Sequence, residues 1–311
     1  MASWLERRQR LAIVGGALAL LVVILGVFAY QVYEDRVGTP NKVVLTVGSE
    51  KFKLNYYADR LGQFIQANAQ SGSTPAVLEE DLINKLEREA LVIQVARDQG
   101  IALGDNEVTE FIASQLGVTV GGSGSTFDTL YRNALRTQKV SDGNYRRLKL
   151  AELADARVAE SVTATIGASG EQYAIQTVVL TSKEAADAIL ARAKAGEDLG
   201  DLAQKESLDP ASKQKNGLNS PEPIELLPAT IRTAVEGKQP GELLGPVQVE
   251  QAWWVFRIDR KEPVDYSDTQ KSQLASQRLE DLVKQKRSQL ASTIRRALSA
   301  SDIKWAEQHL N

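Results

Sequence analysis

The chain has no cysteine, and its single histidine, His309, stands two residues from the C-terminus. Without cysteine there are no disulfides and no lipidated N-terminal cysteine. A zinc centre built from several His or Cys ligands is excluded as well. So are Ser-His-Asp and Cys-His nucleophilic arrangements, which need a histidine inside the fold. A surplus of one charge is also lacking: 37 Lys and Arg against 40 Asp and Glu leave a net −3, which gives no reason to expect nucleic acid as a partner. At 43% hydrophobic and 25% charged, the composition is that of a globular protein and not of a disordered one. A length of 311 residues accommodates two domains with appendages.

The N-terminus carries the clearest address. Arg7, Arg8 and Arg10 precede Leu11 to Tyr33, a run of 23 uncharged residues closed by Glu34. As a helix this run extends roughly 34 Å at 1.5 Å per residue, enough to cross a hydrocarbon core of about 30 Å. The arginines then stay cytoplasmic, and everything after Glu34 lies outside the membrane. The alternative is a cleaved signal peptide, although Val27-Phe28-Ala29 makes a poor cleavage site.

Beyond a polar tether at residues 34–42, Val43 to Val47 reads as a short strand ending at Gly48. Helical spacing follows, with Tyr57, Leu61, Phe64 and Ile65 on one face. After the break at Ser71-Gly72-Ser73, Pro75 opens a helix carrying Leu78, Leu82, Leu86, Ile93 and Ala96 and stopped by Gly100. Asp105 is the expected cap of the next helix, which turns Val108, Phe111, Ile112 and Leu116 inward. Gly117 to Ser125 is a flexible loop. Its Gly122-Ser123-Gly124 has no following Lys-Ser/Thr and makes no phosphate cradle. Helices at residues 127–136 and 141–162 complete this region.

Gly167 to Gly170 marks a boundary, and the pattern beyond it is mixed. A strand at Tyr173 to Leu180 precedes helices at residues 183–194 and 199–205, then a loop rich in Pro, Ser and Asn. Gly245 to Val249 and Trp253 to Asp259 form a hairpin-like pair. Trp254, Phe256 and Ile258 alternate with Trp253, Val255 and Arg257, the pattern of a half-buried strand. A polar amphipathic helix is expected from Ser267 to Leu298, needing a surface to pack on.

The stretch Glu184 to Ala203, Ser207-Leu208-Asp209-Pro210, Pro240-Gly241-Glu242 and Gly245-Pro246-Val247 resembles a parvulin-type (PpiC-type) peptidyl-prolyl isomerase. Upstream, Leu82-Ile83 through Leu91-Val92 and the turn Gly100 to Val108 are similar to SurA-type chaperone domains. The resemblance implies an α+β chain in six parts: a cytoplasmic tail (1–10), a transmembrane anchor (11–33), a tether (34–42), a helical chaperone domain (43–166), an inserted parvulin-like domain with a small antiparallel sheet flanked by helices (171–264), and a C-terminal helix (265–311) packing on the chaperone domain.

The same resemblance supplies the candidate site. Thr177 stands where the family opens its first strand with a histidine, and Trp254 falls on the second histidine of the closing strand. Asp209 keeps the family's third polar position. Trp253 and Glu236 fall on substrate-facing positions, Glu236 in place of a phenylalanine. From the residues alone Asp209 also reads as a turn former before Pro210. One of the two tryptophans reads as a core ring, the other as a groove-facing one.

Rotation about an X-Pro bond crosses a barrier of about 18–20 kcal/mol without breaking a bond, so no nucleophile is required. Trp254 offers one donor and much more bulk than imidazole. Isomerase activity is accordingly expected to be weak or lost. The implied function is a membrane-tethered chaperone for unfolded or translocating polypeptides, with the secretion translocon as a candidate partner and no cofactor or metal. A working isomerase relying on Asp209, and a structural translocon accessory, stand as alternatives.

Overall fold

The computed structural model describes residues 21–68 and 75–310, the side chains of residues 75 and 76 excepted. The described chain forms two compact units: one comprises the chain up to Arg157 together with Val283 onward, the other Val158–Leu282.

In the first unit, residues 21–33 are helical (α1) and expose Leu21, Val23, Ile24, Leu25 and Phe28. The first ten residues of the expected membrane span lie outside the described residues. Among those described, no helix is long and apolar enough to cross a membrane. A three-stranded antiparallel sheet follows, in the order β2-β1-β7, from β1 (Val43–Val47), β2 (Glu50–Lys53) and β7 (Arg295–Arg296). Gly48, at φ +57, makes the β1–β2 turn. The helices are α2 (Leu54–Ala67), α3 (Pro75–Asp98), α4 (Asp105–Gln115), α5 (Thr126–Gln138) and α6 (Asp142–Ala164).

The expected α3 face is buried, with Leu78, Leu82, Leu86, Ile93 and Ala96, whereas on α2 Tyr57 and Leu61 are buried and Phe64 and Ile65 only half-buried. Asp105 differs from expectation. Gly104 occupies the cap position of α4 and Asp105 its first turn, where its charge meets the positive end of the helix dipole. Val108 and Ile112 of α4 join Phe127, Tyr145 and Leu153 in one cluster.

Charged side chains also enter this core, each with a partner. Arg60 forms a two-armed pair with Glu89 at 2.8 and 3.0 Å and donates to Tyr56 Oη at 2.8 Å. Glu87, 3% exposed, accepts from Arg287 and Arg296. The guanidinium of Arg147 lies 4.2 Å over the Phe52 ring.

The chain closes with α11 (Asp268–Leu290) and α12 (Ala300–Gln308). The helix expected to reach Leu298 stops at Leu290 because Leu45 and Thr46 pair with Arg296 and Arg295, drawing this segment into the sheet. Ser299 and Asp302 form a reciprocal capping box at the start of α12. Asp302 also accepts from Lys42 at 2.6 Å. Burial acts to raise the Asp302 carboxyl, but the hydrogen bonds from Lys42 and Ser299 outweigh it and hold the group below its ordinary value. A lowered carboxyl contributes stability fully above its unfolded value of about 3.9, and loses it as pH falls through the folded value. Asp302→Ala should therefore cost about 1–2 kcal/mol at neutral pH. The deficit should shrink below about pH 4, as read by urea unfolding at the two pH values.

The second unit holds a four-stranded antiparallel sheet, ordered β4-β3-β6-β5: β3 (Ser169–Leu180), β4 (Glu222–Pro223), β5 (Leu243–Val249) and β6 (Ala252–Asp265). Helices α7 (Lys183–Lys194), α8 (Leu199–Glu206), α9 (Pro210–Gln214) and α10 (Ala229–Val235) accompany it. Along β3 and β6, Ala174 pairs with Arg260 and Ile175 with Ile258, which leaves Asp259 as a bulge.

At its centre the β6 strand is covered on both faces, where its alternation suggests one: the neighbours Val255 and Phe256 are both buried. Val178, Leu180 and Val255 pack with Ala186, Ile189, Leu199 and Leu202 of α7 and α8. On the opposite face Tyr173, Ile175, Phe256 and Ile258 pack with Leu227 and with Ile231 and Val235 of α10.

Candidate functional site

Strand register decides which candidate residues share a face. Thr177 pairs with Phe256 and Val179 with Trp254, so Thr177 and Trp254 project from the same side of the sheet. Trp253 pairs with Leu180 and projects from the other side, where it packs against the α7–α8 cluster.

A cavity of about 740 Å³ opens on the Trp254 side. Its apolar floor comes from Tyr173, Ile175, Leu226, Leu227, Pro228 and Trp254, and Asn219, Ser220, Lys215 and Glu222 stand at its edge. The remaining wall is α11, through Ser272, Gln273, Ser276, Gln277 and Glu280. Gln270 fixes the first turn of this helix by donating to Gln172 Oε1 and to the Pro221 carbonyl, both at 3.0 Å.

Thr177 is 1% exposed and does not line the cavity. The segment 216–219 covers it. Its backbone N–H donates to the Gly217 carbonyl at 2.8 Å, and its hydroxyl accepts from Asn219 Nδ2 at 3.2 Å. Gly217 is required here: its φ is +77, and a Cβ would stand 2.7 Å from the Thr177 carbonyl oxygen. Asn219, which does line the cavity, thus connects it to the buried hydroxyl.

Asp209 is the N-cap of α9. Its two carboxylate oxygens accept from the backbone N–H groups of Ala211 and Ser212 at 3.2 and 2.9 Å. Beneath it the buried hydroxyls of Ser207 and Ser212 meet at 2.9 Å, and Ser207 accepts from the Val179 N–H. Asp209 therefore holds the chain against the β3 edge. Glu236 is the exposed C-cap of α10 and lies outside the cavity lining.

Of the five candidates the structure brings Trp254 to the cavity and Thr177 behind it, and places Asp209, Trp253 and Glu236 outside its lining. The residues not foreseen are Asn219, Leu227 and the α11 wall. The signal for the last was present in the sequence: Ser272, Gln273, Ser276 and Gln277 fall at the i, i+1, i+4, i+5 spacing of one helix face.

Comparison with known proteins fits these two units. A family model described as SurA-like N-terminal domain matches residues 1–157, and one described as PPIC-type PPIASE domain matches residues 168–270. Chaperone SurA of Pseudomonas fluorescens is 35% identical over 96 residues, covering 30% of this chain and 22% of that protein. Foldase protein PrsA of Clostridium tetani is 22% identical over 149 residues, covering 48% of this chain and 44% of that one. The chain thus spans less than half the length of either relative. The crystal structure of a peptidylprolyl isomerase (PrsA) from Bacillus anthracis aligns with a TM-score of 0.45 at 15% identity, over 67% of this chain and 98% of that one. The chain belongs to the family with a SurA-like N-terminal domain, and joins to that domain a PpiC-type parvulin domain, as SurA- and PrsA-like foldases do.

Proposed function

We propose that the protein is a membrane-tethered, extracytoplasmic chaperone that holds unfolded or translocating polypeptides, with prolyl isomerase activity weak or lost. The observation that carries this reading is the cavity on the Trp254 face. Its floor is apolar, Thr177 is buried behind it, and both oxygens of Asp209 are committed to capping α9. Such a surface favours burial of an apolar segment. The two family positions that would act on a twisted imide are not presented to it: Thr177 is covered, and the Asp209 oxygens are held by backbone N–H groups. The arginines before Leu11 and the exposed apolar side chains of α1 support the tether. Tethering raises the local concentration near emerging chains, so modest affinity suffices.

The test uses the full chain in detergent with a substrate whose refolding is limited by proline isomerisation, a phase of about 10–100 s at 25 °C. The chain should suppress aggregation and leave that slow phase unchanged. Acceleration abolished by Asp209→Ala would establish the isomerase reading instead. Failure to retain any unfolded substrate would leave the structural role.

A further inference from the structure

The α11 wall of the cavity has a composition that solubility alone does not call for. Its cavity-facing stripe reads Ser272, Gln273, Ser276, Gln277 and Glu280, while Leu274 and Leu279 on the other side are buried. Solvated helix faces are ordinarily built from Lys and Glu, whose long charged ends stay in water. Here two primary amides project where an apolar floor stands opposite. Each carries both donor and acceptor, the same pair that every peptide unit presents.

Their spacing fits that partner. Gln273 and Gln277 are separated by about 6 Å of helix rise at 1.5 Å per residue. An extended chain repeats its same-side groups every two residues, or about 6.6 Å. Gln273 is exposed, and the bond from Gln277 Nε2 to Asp281 is long, at 3.5 Å. Both amides can therefore turn to a bound chain at little cost. Charge argues the same way. The lining holds one cation, Lys215, against the carboxylates of Glu222 and Glu280, which disfavours phosphate-bearing or acidic ligands.

We infer that Gln273 and Gln277 hydrogen-bond the main chain of an extended, non-acidic polypeptide segment whose apolar side chain rests on Trp254 and Leu227 across the cavity. The inference rests on the chaperone reading and deepens it. It assigns the backbone contacts to α11 and the side-chain contact to the sheet, so clients are selected by extension and apolarity and not by a particular sequence.

The test is fluorescence anisotropy with the full chain in detergent. The probes are a labelled, unstructured peptide with one central leucine and no acidic residue, and its counterpart N-methylated at alternate residues. N-methylation should weaken binding to the unaltered chain about tenfold, the loss of one to two hydrogen bonds. Gln273→Ala/Gln277→Ala should bind the unmodified peptide about tenfold more weakly and show no further loss on N-methylation. Trp254→Ala should weaken both peptides and preserve the N-methylation penalty. A double variant that retains the full penalty overturns the inference, as does an unaltered chain indifferent to N-methylation. Aggregation suppression is scored in parallel: if it persists while α11 proves indifferent, only the α11 assignment falls, and if it is absent the chaperone reading falls too.

Discussion

Arg60→Ala is expected to lose about 3–5 kcal/mol of stability, the cost of removing one partner from a buried ion pair. The side chains of Arg60 and Glu89 are 7% and 12% exposed. Both guanidinium arms meet the carboxylate, and the Tyr56 hydroxyl accepts a third bond. Truncation leaves a carboxylate and a phenol with little access to water. Lysine is no remedy, because a single ammonium cannot reproduce the planar fork, so Arg60→Lys should recover only part of the loss. The decisive comparison is Arg60→Met/Glu89→Leu. Without either charge the desolvation cost vanishes, and the double variant should be more stable than Arg60→Ala. Urea unfolding of the three variants gives the answer. A double variant as unstable as Arg60→Ala would mean that packing and not charge accounts for the loss.

Phe256→Ala is the second large effect, also about 3–5 kcal/mol. Its ring is fully buried among Tyr173, Ile175, Leu227, Ile231, Val235 and Ile258. It is the register partner of Thr177 and lies two residues from Trp254. The void therefore opens directly behind the cavity floor. Amide hydrogen exchange should accelerate along β3 and β6, while α2 and α3 keep their protection. Exchange that rises equally in both units would show that they unfold as one, and the local account would fail.

These two sites differ in how far the sequence announces them. Phe256 lies in a strand whose alternation is plain, but that Thr177 shares a face with Trp254 depends on the pairing register of β3 with β6, which alternation within one strand does not supply. What alternation does not reveal is that the second face is covered too. Trp253 and Trp254 are equally apolar neighbours, and only the placement of α7 and α8 against one face and of the cavity on the other tells them apart. Arg60 is harder still. It is a charged residue in an amphipathic helix, and its burial depends on Glu89, 29 positions away.

The same cause hides β2 and β7. Glu50–Lys53 is a charged tetrapeptide, and Arg295–Arg296 is only a pair; each becomes a strand through β1 and not through its own composition. Helices α9 and α10 are too short to show a period, and they occupy a stretch whose Pro, Ser and Asn content reads as loop. The site residues divide likewise. Trp254 is reached by resemblance and register. Asn219 and the α11 amides are brought to the cavity by the path of the chain from Leu208 to Pro228 and by the anchoring of Gln270.

The bulge at Asp259 has a further consequence, for how β6 can change over time. On the N-terminal side of the bulge the residues sharing the Thr177 face are even-numbered, Trp254, Phe256 and Ile258. On the C-terminal side the frame reverses, and Lys261 meets Tyr173, with its ammonium 5.3 Å from the ring centroid. The strand thus carries two reading frames with a joint between them. A residue gained or lost at the joint is absorbed there by closing or widening the bulge, whereas the same event at Trp254 or Phe256 exchanges core for cavity along the whole segment. Length variation in this strand is therefore confined to one position, and the two halves are free to diverge under separate constraints.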